Sequence, residues 1–279
     1  MSAPAAADLR SASVALIGAG NMGIALLEGW AAHGLVGEAV VVVEPTPSPR
    51  LLELCQRRGF RLAAQSAESA PRDALVLAVK PQMLAVVAPT LSAFIGADTL
   101  ALSILAGKRI SDLRAQLPGA RAIVRAMPNT PAAIGRGVTG AVASDETSAR
   151  QRALAQALLS AVGGVEWVED EGLIDAVTAV SGSGPAYVFH LVECLAEAGG
   201  AAGLPADLSM RLARATVEGA GELLARRTDA TASTLRENVT SPGGTTAAAL
   251  DVLMASDGLA ALMTRAVAAA KRRAGELSG

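Results

Sequence analysis

The chain is organised by the stretch from Val14 to Gly23, which is V-A-L-I-G-A-G-N-M-G. Its apolar beginning predicts a β-strand, its glycines predict a tight turn, and Met22 begins a helical pattern. Between a strand and a helix, G-x-G-x-x-G is typical of a dinucleotide site, because Gly18 permits the turn and Gly20 lets a pyrophosphate approach. The last glycine lets the helix pack on the strand, and the helix N-terminus attracts phosphate. We predict a dinucleotide site; the alternative is an ordinary turn with coincidental glycines.

Composition indicates a globular protein and argues against several classes of partner. The 279 residues suffice for one large domain or two modest ones, and 51 % hydrophobic residues provide material for a core. Aromatic residues at 2 % and a net charge of −2 argue against nucleic acid and anionic membranes as partners. Residues 1–12 predict a flexible tail without a signal peptide, and no segment is apolar enough for a membrane helix. We expect a cytoplasmic protein, with Cys55 and Cys194 as buried thiols that bind no metal.

Apolar strand patterns alternate with helical ones in the first part of the chain, which predicts an α/β fold with a doubly wound parallel sheet. The strands are predicted at 14–17, 39–43, 74–79, 100–105, 122–124, 138–143 and 165–168. Beyond the acidic segment 169–172 only helical patterns follow, rich in small and apolar residues. We predict a dinucleotide-binding domain at 13–171 and an all-helical domain at 172–279. A helical domain of this kind often buries its surface against a second copy of the chain.

Residues at the end of the second predicted strand bear on whether the chain binds NAD or NADP. Glu44 lies there, where an acidic side chain can accept a hydrogen bond from the ribose 2′-OH of NAD. Thr46, Ser48 and Arg50 follow at once, and such residues can hold the 2′-phosphate of NADP. The sequence leaves both cofactors open.

Two further strand ends carry candidate ligand-facing residues. Lys80 and Pro81 follow a fully apolar strand, at the edge where ligands bind in open α/β sheets, although Lys80 could equally be a solvated loop residue. Arg125-Ala-Met-Pro-Asn-Thr-Pro131 combines two prolines with Asn129 directly after a strand. Rigid turn chemistry with polar tips predicts a ligand-facing loop; a plain turn is the alternative.

A second glycine-rich segment precedes a predicted helix at Ala247. In Ser241-Pro-Gly-Gly-Thr-Thr246, Gly243 and Gly244 allow a ligand to approach the backbone, and the threonine hydroxyls can cap the helix. Free N–H groups at such a helix start form an anion site suited to a carboxylate. The alternative is a capped helix after a Pro-Gly turn. The small residues of 181–187 similarly predict either close approach of the nicotinamide or helix packing.

Five motifs stand in a fixed order along the chain. They are GAGNMG at Gly18–Gly23, AVKP at Ala78–Pro81, RAMPNTP at Arg125–Pro131, SGSGPAY at Ser181–Tyr187 and SPGGTT at Ser241–Thr246. In this order they resemble pyrroline-5-carboxylate reductases, from about Val14 to the last helix. The resemblance implies a Rossmann-type domain followed by a helical dimerisation domain, with interlocked dimers that can assemble into a decamer. It also implies reduction of 1-pyrroline-5-carboxylate to L-proline by NADPH or NADH, the last step of proline biosynthesis.

The resemblance also implies roles for individual residues. Thr246 is implied as the catalytic hydroxyl that hydrogen-bonds the ring nitrogen of the substrate. The other implied substrate-binding residues are Glu237, Ser241, Gly243, Gly244 and Thr245. The cofactor-binding residues are Gly18, Ala19, Gly20, Asn21, Met22, Gly23, Glu44, Ala78, Val79, Lys80, Pro81, Ala106, Asn129 and Asn238, the last reaching the partner chain's cofactor.

Two other functions fit parts of the sequence. A β-hydroxyacid dehydrogenase shares the two-domain plan, but it needs an acid/base lysine, and the matching stretch Ser181–Pro185 has none nearby. A non-catalytic nucleotide-binding dimer would not require the intact Ser241–Thr246 segment. Because the glycine turn would bind the cofactor and Ser241–Thr246 the substrate, the active site is expected to combine the two domains.

Overall fold

The computed structural model describes residues 9–64 and 70–278, and in the first part of the chain it contains an 8-stranded sheet. The strands are β1 (Val14–Ile17), β2 (Val40–Val43), β3 (Arg61–Ala63), β4 (Ala74–Leu77), β5 (Leu100–Ser103), β6 (Ala122–Met127), β7 (Gly137–Ala143) and β8 (Gly163–Trp167). Their spatial order is β3-β2-β1-β4-β5-β6-β7-β8. The predicted α/β fold with a doubly wound sheet is confirmed.

One strand pair departs from the predicted parallel arrangement. β6 and β7 pair antiparallel, while every other neighbouring pair in the sheet is parallel. The reason lies in their connection, which holds only the short 3₁₀ turn Thr130–Ile134. A parallel return needs a crossover of about a dozen residues or more, so this connection sends the chain straight back.

Helices cover both faces of the sheet and explain the apolar strand patterns. In this part of the chain they are α1 (Asn21–Ala32), α2 (Pro49–Arg58), α3 (Leu84–Val87), α4 (Ile110–Gln116), α5 (Ala149–Ser160) and α6 (Leu173–Val177). β1, β2, β4 and β5 are buried along their whole length, as expected for a sheet covered on both sides. One core contains Trp30, whose ring N–H donates to the Leu158 carbonyl at 2.8 Å; the other is built around Phe94.

The predicted tail is folded at its C-terminal end. Residues 1–8 lie outside the described residues, but Leu9–Ser11 forms a 3₁₀ turn. Leu9 and Ala12 are buried in the same core as Trp30. The tail prediction for residues 9–12 is therefore wrong, because two apolar side chains find partners in the core.

The remaining helices are α7 (Gly184–Ala201), α8 (Ala206–Arg226), α9 (Ala232–Asn238), α10 (Thr245–Leu253) and α11 (Leu259–Leu277). Contacts divide the chain into two units: one holds the described residues through Gly182 and those from Lys271 onward, and the other is Ser183–Ala270. The domain boundary after residue 171 stays a prediction. No helix in the described part of the chain is long and apolar enough to cross a membrane.

The second unit buries little of its own apolar surface. α7 and α8 pack together, and the buried Ser209 hydroxyl donates to the Ala196 carbonyl at 2.7 Å. Ala196 and Ala213 are the buried hydrophobic residues of Ser183–Ala270, a range described in full, whereas Phe189 is 63 % exposed. Cys194 is also exposed, which contradicts its predicted burial; Cys55 is buried as predicted.

Asp73 ties the beginning of β4 to the residue before β1. Its Oδ2 accepts from the Ser13 amide at 2.9 Å and from the Ser13 hydroxyl at 2.7 Å. Burial alone would raise the pKa of Asp73, but these hydrogen bonds and the nearby Arg150 outweigh it and lower the pKa below its usual value. A carboxylate with a lowered pKa stabilises the fold above its unfolded-state pKa, and this contribution is lost as the pH falls through the folded-state pKa.

We expect Asp73→Asn to lower the free energy of unfolding by about 1 kcal/mol near neutral pH, because the charge-assisted bonds weaken. The difference from the parent should shrink below the usual aspartate pKa, as the parent carboxylate becomes protonated. Urea unfolding at several pH values measures this, with Asp98→Asn as a control for removing one exposed carboxylate. A difference that stays constant across the pH range would contradict the assignment.

Candidate active site

A groove of about 630 Å³ lies at the carboxyl ends of β1, β2 and β4. Backbone hydrogen bonds hold these three strand ends together: the Gly18 amide donates to Val43 at 2.9 Å, and the Ala78 amide donates to Ile17 at 2.8 Å. The strand order reverses between β1 and β4, which is where ligands bind in doubly wound sheets. The groove therefore occupies the position expected for a dinucleotide.

The glycine turn has the geometry that a pyrophosphate requires. Gly18 has a φ of +85°, and a Cβ there would lie 2.8 Å from the Val79 side chain. A Cβ on Gly20 would meet nothing within 4 Å, so the chain leaves open space beside this residue. A Cβ on Gly23 would lie 2.8 Å from the Gly18 carbonyl oxygen, so a side chain would push α1 away from the turn. Gly18 thus permits the turn, Gly20 leaves the backbone open to a ligand, and Gly23 lets α1 pack closely on the turn.

The N-terminus of α1 is available to an anion. Gly20 is the N-cap, and no side chain caps the helix. The first N–H groups of an α-helix have no partner within the helix, and Asn21 and Met22 supply two of them here. Because the helix dipole adds positive potential at this end, the turn fits a pyrophosphate.

Glu44 brings a carboxylate to the same groove. Its Oε2 accepts from the Ala19 amide at 3.0 Å, and its Oε1 accepts from the Thr46 amide at 3.1 Å. The side chain is half-buried and lines the groove beside Gly18. These bonds fix the carboxylate next to the glycine turn.

The structure brings together part of the predicted cofactor set. The predicted residues that line the groove are Gly18, Gly20, Glu44, Ala78, Val79 and Lys80. Pro81 begins the next turn, and Ala106 is not among the lining residues. Sequence reasoning missed an apolar wall formed by Met83, Val86 and Val87, of which Val86 is 64 % exposed. Such a wall suits a planar base, and the signal was an apolar stretch directly after Lys80-Pro81.

The Arg125–Pro131 segment points largely into the protein. Asn129 is buried; its Oδ1 accepts from the Val138 amide at 2.9 Å, and its amide donates to Ser181 at 3.3 Å. Arg125 is 2 % exposed and pairs with Glu171 at 3.1 Å and with Asp175 at 3.6 Å. These contacts brace the fold, and the cofactor role of Asn129 stays a prediction.

The Ser181–Tyr187 motif lies where the helical pattern is interrupted. A π-helical turn covers Thr178–Gly182, and α7 begins at Gly184. Single π turns within helices are frequent at functional sites. A Cβ on Gly182 would lie 3.6 Å from Thr178 and 3.7 Å from Met127, which is ordinary van der Waals contact, so packing alone does not require glycine here.

The second glycine segment lies in the second unit. Gly243 has a φ of +71°, and the Gly244 amide closes the turn on the Ser241 carbonyl at 3.0 Å. The N-cap is Gly244, so α10 begins at Thr245 rather than Ala247. The prediction that a threonine caps the helix is therefore wrong. With Thr246 half-buried and no side-chain cap, the first turn of α10 offers free N–H groups to an anion.

The predicted residues Glu237 and Asn238 are the last two residues of α9. The Glu237 Oε1 accepts from the Ser233 hydroxyl at 2.9 Å, on the same helix. Thr231 caps α9 through the Thr234 amide at 3.1 Å. Thr231 is a residue type that favours the N-cap position, and this was the signal in the sequence for the start of α9.

Comparison with known proteins finds a family match in each part of the chain. Residues 171–277 match the family described as "Pyrroline-5-carboxylate reductase dimerisation", and residues 13–107 match "NADP oxidoreductase coenzyme F420-dependent". The chain is 40 % identical over 266 residues to pyrroline-5-carboxylate reductase of Pseudomonas aeruginosa, covering 95 % of this chain and 96 % of the relative.

Solved structures show the same similarity. The pyrroline-5-carboxylate reductase of Coxiella burnetii superposes with a TM-score of 0.89 at 34 % identity, over 96 % of this chain and 99 % of that one. The Plasmodium falciparum pyrroline carboxylate reductase, solved with NADP bound, has a TM-score of 0.80 at 27 % identity, over 97 % and 99 % of the two chains.

Gly20→Ala tests the glycine turn. We expect the dissociation constants of NADH and NADPH to rise at least about tenfold, because the methyl group would occupy space that the pyrophosphate needs. The melting temperature should change little, since the added Cβ contacts nothing within 4 Å. Isothermal titration calorimetry measures the affinity, with Gly164→Ala, on exposed β8, as the control. Unchanged affinity in Gly20→Ala would place the pyrophosphate elsewhere.

Proposed function

This chain belongs to the pyrroline-5-carboxylate reductase family, and we propose that it reduces the C=N bond of 1-pyrroline-5-carboxylate to L-proline with NAD(P)H, the last step of proline biosynthesis. The observation that carries the proposal is identity of 40 % along almost the whole chain to a reductase of that name, with both glycine segments intact. This membership favours an imine reductase over a β-hydroxyacid dehydrogenase or a non-catalytic dimer.

The first unit has the features that binding of NAD(P)H requires. The open space beside Gly20 and the uncapped N-terminus of α1 fit the pyrophosphate. Glu44 and Lys80 line the same groove, together with Ala78 and Val79. When bound, the nicotinamide supplies the hydride. The chain's own residues need to bind and orient the cofactor.

The Ser241–Thr246 turn is proposed to bind the substrate. Its free N–H groups and the helix dipole suit the substrate carboxylate, with Gly243 and Gly244 giving close access to the backbone. The Thr246 hydroxyl hydrogen-bonds the ring nitrogen and orients the imine carbon toward the hydride donor. A cyclic imine is basic enough to bind in its protonated form, so the turn needs no histidine or lysine as a general acid. At the end of α9, Glu237 is proposed to bind the substrate as well, and Asn238 to reach the partner chain's cofactor.

Reduction of pyrroline-5-carboxylate is tested by mixing the protein with this substrate and NADH or NADPH, and following nicotinamide absorbance. We expect loss of absorbance that depends on the imine, with proline as the product. A parallel mixture contains a 3-hydroxy acid and NAD. Activity only in that mixture, or in neither, would overturn the proposed function.

The second unit is proposed to form the dimer. The family match to a dimerisation domain supports a homo-oligomer, and the exposed apolar side chains of this unit need a partner. We propose an interlocked dimer as the basic unit, further assembly of dimers into a decamer, and a cytoplasmic location. No nucleic-acid or membrane partner is proposed.

Thr246→Ala should lower kcat/KM for pyrroline-5-carboxylate by about 100-fold, because a hydrogen bond to the reacting nitrogen is lost. Thr246→Ser keeps the hydroxyl and should retain most of the activity. NADH affinity, measured separately, should not change in either variant. If kcat/KM is unchanged in Thr246→Ala, the hydroxyl does not contact the imine.

Phe189→Glu should dissociate the oligomer, because a charge would replace an exposed ring in the apolar surface of α7. Analytical ultracentrifugation should show the mass of a single chain, with loss of reductase activity. The control is Val36→Glu, the same kind of change at a residue of the first unit that is 49 % exposed. If Phe189→Glu stays fully associated, α7 does not form the interface.

A further inference from the structure

We propose that Glu44 makes this chain select NADH over NADPH. The inference rests on the proposed function, because it concerns the cofactor of that same reaction. It assigns a specificity-determining role to one carboxylate at the end of β2, and it answers the question that the adjacent residues Thr46, Ser48 and Arg50 left open.

The position of the Glu44 carboxylate suits a ribose. Both oxygens are held by backbone amides, at 3.0 and 3.1 Å, and the side chain lines the groove next to the glycine turn. An ionised carboxylate is an acceptor with about four lone-pair sites, so each oxygen can accept one more bond. The two vicinal hydroxyls of the adenosine ribose are donors that match these remaining sites. This is the arrangement that an acidic residue at this position gives to NAD-binding sheets.

A 2′-phosphate meets an unfavourable environment at the same place. It would bring a dianion against a fixed carboxylate. The backbone amides of Ala19 and Thr46, which could otherwise donate to a phosphate, already donate to Glu44. The carboxylate would repel the phosphate, and the two amides that could donate to the phosphate already donate to Glu44.

The polar residues after Glu44 make their contacts outside the groove. The Arg50 guanidinium binds both carboxylate oxygens of Glu28 on α1, at 2.9 and 3.0 Å. The Ser48 hydroxyl accepts from the Leu51 amide and caps α2. The Thr46 side chain carries no charge that could offset a dianion. Arg50, the cation among these three residues, pairs with Glu28 and is not among the described residues that line the groove.

Lys80 is not placed to bind the 2′-phosphate either. Among the described residues that line the groove, Lys80 is the only cation and Glu44 the only anion. Lys80 follows β4, and β1 lies between β4 and β2. Neighbouring strands are about 4.8 Å apart, so the ends of β2 and β4 are about 10 Å from each other. Lys80 is thus placed nearer the centre of the groove than the ribose end.

The first test is the affinity of the unmodified protein for each cofactor without substrate, by isothermal titration calorimetry. We expect NADH to bind roughly 10- to 100-fold more tightly than NADPH, the size of effect given by one repulsive charge pair at a partly solvated site. Because salt screens the repulsion, the ratio of the NADPH affinity to the NADH affinity should rise with ionic strength. Equal affinities, or tighter binding of NADPH, would overturn the inference.

Variants then assign the effect to its residue. Glu44→Gln removes the charge at nearly constant size, and it should bring the NADPH affinity to within a few-fold of the NADH affinity. Glu53→Gln, which removes an exposed carboxylate on α2, is the matched control and should leave the ratio unchanged. An unchanged ratio in Glu44→Gln, with NADH binding retained as evidence of folding, would show that another group selects the cofactor.

Arg50→Met tests the competing assignment. We expect no change in either affinity, because Arg50 is paired with Glu28. A selective loss of NADPH affinity would identify Arg50 as a phosphate ligand and contradict the inference. Failure of the proposed function is distinct from all of these outcomes: it would appear as binding of neither cofactor, or as cofactor binding without reduction of pyrroline-5-carboxylate.

Discussion

The cofactor groove depends on how closely α1 approaches the turn that precedes it. The Gly18 carbonyl lies where a side chain on residue 23 would have to be, so only glycine allows this distance. Hydrogen bonds from Gly18 to β2, and from Ala78 to β1, hold the turn in register with the strand ends. The contact therefore fixes an uncapped helix N-terminus beside an open space. If α1 moved outward by the width of a methyl group, the amides and the groove would no longer be aligned.

A second constraint acts on the helical unit. Its buried apolar residues are alanines, and large side chains such as Phe189 and Val252 remain exposed in Ser183–Ala270. A unit that buries so little cannot repay its conformational entropy alone. The Ser241–Thr246 turn belongs to this unit, so the shape of the proposed substrate site depends on whatever covers the exposed surface. In this protein, association and activity are expected to be thermodynamically linked.

The strands and the glycine turn could be predicted because their signals are local. A strand buried on both faces is almost entirely apolar, and β1, β2, β4 and β5 are of this kind, with Ser103 at the end of β5 as their one polar residue. The strand β7 was predicted, but its antiparallel direction was missed because the direction depends on the length of a connection and not on the strand's own residues. The inward orientation of Arg125 was missed for a related reason: its partners Glu171 and Asp175 are far away in sequence, and only the fold brings them together.

The choice between NADH and NADPH also depends on contacts that the sequence alone does not show. Glu44, which suits a ribose, is close in sequence to Ser48 and Arg50, which suit a phosphate, so the residues alone leave the choice open. The fold separates them, because Glu44 ends a strand, Ser48 caps a helix and Arg50 turns toward Glu28. What distinguishes the two cofactors is therefore not which polar residues are present but which of them the fold directs to the groove. Two backbone amides donate to Glu44, and Arg50 pairs with Glu28 and does not line the groove, so a phosphate would meet a carboxylate where it needs donors.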